Sequence, residues 1–133
     1  MTAQSPEEIY DFLTKLFNDR EYRKIADYFE PDAIIVPPHH QPPVNAREAL
    51  KNYQFIFDRH SNYTVSLKIN HVETTDTDAA KVSYSWMGVG DMGIYAFDGV
   101  DEVRCQADGS WLITSNHAFH TPRYDENNKA IEI

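Results

Sequence analysis

An aspartate among aromatic residues is the strongest sign of chemistry in this sequence. If the residues from Gly93 to the turn at 107–110 form an extended strand, alternation places Asp101 on one face with Tyr95, Phe97 and Val103. A carboxyl group on an apolar face loses hydration, which raises its pKa towards the range where it can transfer protons at neutral pH. The sequence therefore predicts an acid/base role for Asp101, and the alternative is a structural role, as an ion pair with Arg104 or as a contact to a helix end.

Polar side chains on the next predicted strand extend this candidate site. Alternation after the turn at 107–110 puts Thr114, Asn116 and His120 on one face. If that face lines a cavity, Thr114 and Asn116 orient a substrate oxygen and His120 shuttles a proton. The other interpretation of His120 is a histidine at a strand end that touches solvent.

Several aromatic side chains are candidates for the lining of a pocket. A curved sheet over helices leaves a space that a flat, apolar ligand can fill, and aromatic residues commonly line such spaces. The same residues would also serve as plain core. These candidates are Tyr53, Tyr84, Trp86, Tyr95 and Phe97.

The loop 37–43 contains two adjacent histidines and four of the seven prolines. A metal site at His39 and His40 is one interpretation, but adjacent side chains of an extended chain point apart and no recognised zinc spacing is present. We therefore expect no bound metal and place His39 at the mouth of the pocket. The sequence has no phosphate loop, dinucleotide fingerprint or nucleophile elbow, so we expect no cofactor.

Length and charge limit the class of protein. The 133 residues suit a single domain, with a core at about 5–121 and a polar tail at 122–133. A net charge of −9 argues against a nucleic-acid partner, and no apolar run is long enough for a membrane. The single cysteine, Cys105, fits a reducing compartment, and we expect a cytoplasmic location.

Three helices are predicted in the N-terminal half. Ser5 and Pro6 begin the first, with Glu8 completing a capping box. A second helix runs to Phe29 and stops before Pro31, and Asn45 can cap a third that includes Tyr53. The apolar stripe of the first helix is Ile9, Phe12, Leu13, Leu16 and Phe17.

Strands make up the rest of the predicted fold. A short one at 32–36 is followed by four long antiparallel strands, the last two joined by the Asp108-Gly109 turn. Both faces of this hairpin carry large apolar groups, so we expect helices to cover one face and a second subunit the other. The predicted homodimer uses the outer sheet face, through Trp111, Ile113 and Phe119, with His117 beside them.

Two stretches resemble the nuclear transport factor 2-like superfamily, which includes ketosteroid isomerase, scytalone dehydratase and the SnoaL-like polyketide cyclases. One stretch is 25–33 with 46–50, and the other is 97–101 and Arg104 with 108–113. The resemblance implies an α+β, cone-shaped fold. In it, a curved antiparallel sheet wraps over three N-terminal helices and leaves an internal pocket.

The resemblance carries over only part of the ketosteroid isomerase site. The family's base would fall at about Pro37 and its first-helix tyrosine near Leu13, so both are absent, while its second aspartate matches Asp101. The SnoaL-like cyclases also use an acid in this region. What is implied is a small cofactor-independent isomerase, cyclase or dehydratase (a lyase) acting on a hydrophobic polycyclic or aromatic molecule. A non-catalytic ligand-binding or dimerisation module of the same fold is the alternative.

Overall fold

The computed structural model describes residues 2–36, 42–49, 51, 64–90 and 93–119. An α-helix, α1, spans Pro6–Asn18 and a 3-10 helix spans Tyr22–Tyr28. The strands are β1 (Phe29–Val36), β2 (Val44–Asn45), β3 (Thr64–Asp76), β4 (Ala79–Gly90), β5 (Gly93–Cys105) and β6 (Trp111–Phe119). No helix among the described residues has the length and apolar character needed to cross a membrane.

Helix α1 begins where its capping residues predict. The Ser5 hydroxyl accepts a hydrogen bond of 3.3 Å from the Glu8 backbone N–H, and Pro6 occupies the first turn. The buried face is rotated slightly from the predicted stripe: Tyr10 is buried, whereas Phe12 is only partly buried. At the far end, the Asn18 amide pairs with both backbone groups of Val65 at 2.7 and 2.9 Å, which ties α1 to β3.

The second predicted helix is shorter than expected. It is a 3-10 helix that ends at Tyr28, and β1 begins at Phe29 rather than at Asp32. Phe29 pairs with Ile113 of β6, and this strand pairing outweighs the helical pattern at that position. Pro31 lies where the β1–β6 register shifts, so its missing N–H interrupts no regular ladder there.

The described part of the third predicted helix confirms its start. Residues 46–49 are helical, and the Asn45 side chain accepts a hydrogen bond of 2.9 Å from the Glu48 N–H. The remainder of that prediction, including Tyr53, lies outside the described residues.

Within the described residues, the strands form one curved, unclosed sheet in the order β2-β1-β6-β5-β4-β3. The four long strands β3 to β6 are antiparallel, as predicted, and β1 adds a parallel pairing to β6. Gly109, at a φ of 88°, makes the turn before β6, where a left-handed backbone favours glycine. The concave face of β4 is lined by Val82, Tyr84 and Trp86, all buried, which confirms the predicted alternation.

A β-bulge in β6 breaks the predicted alternation. Glu102 pairs with Ser115 but Val103 pairs with Ile113, so Thr114 is an extra residue without a partner in the ladder. Ile113 therefore faces the core, with 1% of its surface exposed, while Asn116 also faces inward. The predicted outer dimer face is wrong at these positions, because Ile113 is core and Trp111 packs against the core.

Candidate active site

Asp101 lies at the centre of β5 on the concave face of the sheet. Only 1% of its surface is exposed, and it and Ser110 are the buried polar residues of the described chain. Val82 of β4 and Asn116 of β6 pair with it across the sheet. A carboxyl group is rarely buried this completely unless hydrogen bonds satisfy it.

Three side chains donate hydrogen bonds to the Asp101 carboxyl. Tyr10 donates from α1 to Oδ2 at 2.7 Å, Asn116 Nδ2 donates to Oδ1 at 2.6 Å, and the Tyr84 hydroxyl donates to Oδ1 at 3.2 Å. Asn116 Nδ2 also lies 2.7 Å from the Tyr84 hydroxyl oxygen, which accepts from it. We call these four residues the carboxyl cluster.

Tyr10 is a site residue that the sequence patterns around Asp101 do not indicate. The resemblance placed the first-helix tyrosine near Leu13 and so counted it absent, but a first-helix tyrosine one turn earlier reaches the carboxyl. The signal was present: Tyr10, Leu13 and Phe17 follow i, i+3, i+7 spacing, which puts Tyr10 on the buried side of α1. Its hydroxyl needs a buried partner, and Asp101 provides it.

Thr114 and Asn116, which alternation predicts on one face, make different contacts at the bulge. Asn116 reaches Asp101, as the expected inward orientation requires. Thr114, at the bulge, instead donates to the backbone carbonyl of Glu102 at 3.2 Å, and its role in orienting a substrate oxygen stays a prediction. If Thr114 took an ordinary place in the ladder instead of forming a bulge, strict alternation from Ile113 would turn Asn116 to the outer face.

Burial raises the pKa of the Asp101 carboxyl from 3.8 to about 7, since the charged form loses its hydration. The hydrogen bonds from Tyr10, Asn116 and Tyr84 act in the opposite direction, because each favours the carboxylate. Burial and the adjacent Asp101 also raise the pKa of the Tyr10 hydroxyl well above its usual 10. Tyr10 is therefore a proton donor in the hydrogen bond, and Asp101 is the group that changes charge near neutral pH.

A row of aromatic rings extends from the carboxyl cluster along the concave face. Tyr84 packs on Tyr10 at 5.2 Å between ring centroids and meets Phe97 edge-on at 6.5 Å. Phe97 stacks on Trp86 at 5.1 Å, and Trp86 meets Phe17 at 5.8 Å. The predicted aromatic lining by Tyr84, Trp86 and Phe97 thus has a common location on the inner face.

The alternative role for Asp101, an ion pair with Arg104, is contradicted by the geometry. Arg104 lies on the outer side of β5 and pairs with Glu30 of β1 at 3.1 Å. Gln106 donates to the other oxygen of Glu30 at 2.9 Å. These contacts join β1 to the end of β5 and leave Asp101 to the carboxyl cluster.

Other predicted site residues fall where the structure gives no placement. His120, His39 and Tyr53 lie outside the described residues, and so does the side chain of Tyr95. His117 is exposed on the outer face. Across the ranges described, no three side chains among His, Cys, Asp and Glu come together as a metal site.

The carboxyl cluster can hold and exchange a proton. At neutral pH both protonation states of Asp101 are populated, and the Tyr84 hydroxyl connects it to Asn116, which is only half-buried. Both carboxylate oxygens already accept hydrogen bonds, so a ligand would exchange protons with Asp101 through a hydroxyl or by displacing one donor.

A depression on the outer face, lined by Ser66, Lys68, Ser85 and Met87 with Leu67 and Trp86, lies away from this cluster.

Comparison with known proteins identifies the fold. No family profile and no curated protein matches the sequence. Among solved structures, a putative calcium/calmodulin-dependent protein kinase type II association domain from Thiobacillus denitrificans aligns with a TM-score of 0.74 at 17% identity, over 91% of this chain and 98% of that one.

Two further solved structures cover the same region. An NTF-2-like protein of unknown function from Shewanella oneidensis aligns with a TM-score of 0.73 at 14% identity, over 85% of this chain and 94% of the other. A ketosteroid isomerase-like protein from Erwinia carotovora atroseptica gives 0.67 at 17% identity, over 85% and 91%. The chain therefore has the α+β fold of the nuclear transport factor 2-like superfamily, as its sequence motifs predict.

Proposed function

We propose that the protein is a small acid/base enzyme of the SnoaL-like kind, an isomerase, cyclase or dehydratase that needs no cofactor. The observation that carries this proposal is the Asp101 carboxyl, 1% exposed, with a pKa of about 7 and two tyrosine hydroxyls on it. A group that is half ionised at neutral pH is suited to both accepting and returning a proton. Perturbed carboxyl groups of this kind concentrate at functional sites.

The aromatic row supports a hydrophobic polycyclic or aromatic substrate. Trp86 and Phe97 stack at 5.1 Å, and Phe97, the partly buried ring of this pair, is the one against which a planar ligand would stack. Asn116 and the tyrosine hydroxyls supply the few polar contacts that orient a ligand in a mostly apolar site. In this proposal, Asp101 exchanges the proton and Tyr84 and Asn116 hold the reacting oxygen. His120 and His39 remain candidates for a second proton carrier and a contact at the pocket mouth.

The test compares two aspartates on opposite faces of one strand. A panel of polycyclic and aromatic ketones and alcohols is screened for binding by quenching of tryptophan fluorescence, and the bound compounds are assayed for turnover. Asp101→Asn keeps the shape of the side chain but cannot exchange the proton, so turnover should fall by roughly two to four orders of magnitude while affinity changes little.

The matched control is Asp98→Asn. Asp98 lies three residues earlier on the outer face and accepts a hydrogen bond of 2.8 Å from Ser85. This variant should keep full turnover. Full turnover in Asp101→Asn would contradict the proton-transfer role of Asp101. Binding of the panel without turnover by the parent protein would contradict the enzymatic proposal and favour a ligand-binding module with the same site.

We also propose that two copies pair through the outer face of the sheet. With Trp111 and Ile113 inside, the outer face of β4 and β5 still carries the apolar residues Met87, Val89, Ile94 and Val100. Val89 is 45% exposed, and exposed apolar patches of this kind commonly mark interfaces. One of the similar structures is itself a putative association domain.

Sedimentation velocity at micromolar concentration tests the pairing. We expect a dimer, and we expect Val100→Lys, in the middle of the outer face, to give a monomer. Ile34→Lys is the control, because Ile34 is 48% exposed on the same face but lies on β1, two strands away from β5 and outside the proposed β4–β5 contact. A monomeric parent protein would contradict this proposal without affecting the one on Asp101.

A further inference from the structure

Gly99 lies directly opposite Tyr84 in the β4–β5 ladder, on the same concave face. A Cβ atom built on Gly99 would overlap Tyr84 Cζ and would lie 2.5 Å from its hydroxyl oxygen and 2.8 Å from Cε2. These atoms belong to the end of the Tyr84 ring that holds the hydroxyl against Asp101. The backbone of Gly99 is not in the left-handed region, so space rather than conformation requires a glycine here.

The Tyr84 ring cannot move aside without disturbing its packed neighbours. It is 5% exposed, and its neighbours on the concave face are the rings of Tyr10, at 5.2 Å, and Phe97, at 6.5 Å. Its hydroxyl is held by Asn116 at 2.7 Å and by Asp101 at 3.2 Å. A methyl group at position 99 would have to push the ring against packed neighbours or away from both polar partners.

We propose that Gly99 is a positioning residue of the Asp101 site. The missing side chain gives the Tyr84 ring the room to cross β5 and set its hydroxyl between Asp101 Oδ1 and Asn116 Nδ2. Its relevance to catalysis rests on the proposed function. The positioning itself is measured without turnover, on the ionisation of Asp101.

The experiment follows the Asp101 carboxyl by 13C NMR as the pH is varied, with Asp101→Asn used to assign the signal. Gly99→Ala should raise the midpoint of this titration by about one pH unit, because the carboxylate loses a donor that stabilises its charge. Tyr84→Phe should give a similar rise. In the double variant the Asp101 midpoint should be no higher than in either single variant, since both substitutions remove the same hydrogen bond.

A control separates loss of the hydrogen bond from general destabilisation. The control is Gly109→Ala, the same substitution in the turn before β6. A Cβ atom at this position meets no other atom within 4 Å, but the positive φ of Gly109 makes any side chain there strain the backbone. It should lower stability and leave the Asp101 midpoint unchanged. An unchanged midpoint in Gly99→Ala, or rises that add in the double variant, would overturn the inference.

A second background covers the case in which Gly99→Ala does not fold. Tyr84→Ala removes the ring that the new methyl group would meet. In that background Gly99→Ala should have no further effect on the urea midpoint of unfolding. An equal loss of stability with and without the Tyr84 ring would show that Gly99 serves another purpose and would overturn the inference. The Asp101→Asn turnover assay bears on the proposed function alone.

Discussion

The hydroxyl of Tyr10, in the first helix, donates a 2.7 Å hydrogen bond to Asp101, in a strand ninety-one residues further along the chain. This contact connects the helical layer to the centre of the sheet through the buried carboxyl group of the described core. It also gives the chain a first-helix tyrosine at its acidic residue, although the position expected for one is occupied by Leu13. The carboxyl cluster depends on this packing of helix on sheet.

Removal of the Tyr10 hydroxyl should shift the ionisation of Asp101. Tyr10→Phe keeps the ring packed on Tyr84 but takes away a donor to the carboxylate, so we expect the Asp101 midpoint to rise above about 7 by about one pH unit. The variant should lose more stability at pH 8 than at pH 5, since only the charged carboxylate needs that donor. Urea denaturation at both pH values measures the difference.

Tyr28→Phe is the control for this change. Tyr28 is also a buried tyrosine, and its ring packs on Phe12 at 5.8 Å. Its loss of stability should be the same at pH 5 and pH 8. If Tyr10→Phe lowers the free energy of unfolding by the same amount at both pH values, the hydroxyl does not act on the charge of Asp101.

Asp101 should make the protein less stable as the pH rises from about 4 to 7. The folded-state pKa is raised from 3.8 to about 7, so in this window the folded chain binds a proton that the unfolded chain has released. Stability from this group is fully present below the unfolded pKa and is lost as the pH passes through the folded one. Three pH units at about 1.4 kcal/mol each correspond to about 4 kcal/mol.

The measurement is the free energy of unfolding of the parent protein minus that of Asp101→Asn, taken from urea denaturation across this range. The subtraction removes the contribution of the surface carboxylates that both proteins share. We expect the difference to fall steadily from pH 4 to pH 7 and then to level off. A flat difference would mean that Asp101 keeps an ordinary pKa in the folded state.

The bulge residue should be dispensable for the inward orientation of Asn116. With Thr114 deleted, Ile113 faces inward, Ser115 faces outward and Asn116 faces inward in a regular ladder, so the bond to Asp101 can form. We expect the deletion to cost about 1–2 kcal/mol of stability through the lost local twist while the Asp101 midpoint stays near 7. Asn116→Ala is the reference variant, because it removes the donor and should raise the titration midpoint of Asp101. A similar rise after deletion of Thr114 would contradict this prediction.

Local patterns in the sequence were sufficient for the elements and for the candidate acid. Ser5 and Pro6 mark the start of α1, and alternation along β4 and β5 places Tyr84 and Asp101 on the inner face. Each of these features depends on a few neighbouring residues, through capping or through the two-residue period of a strand. The motifs around residues 25–33 and 97–113 were likewise sufficient to predict the superfamily fold.

Tertiary structure alone decided which residues meet the carboxyl group. Tyr10 reaches Asp101 because α1 turns a slightly different face to the sheet than its apolar stripe predicts. Asn116 reaches it because Thr114 is accommodated as a bulge and does not count in the alternation, and the same bulge takes Ile113 from the predicted outer surface into the core. Helix rotation and strand register are set by packing between segments far apart in sequence, so local patterns offer several faces and registers but do not select one of them.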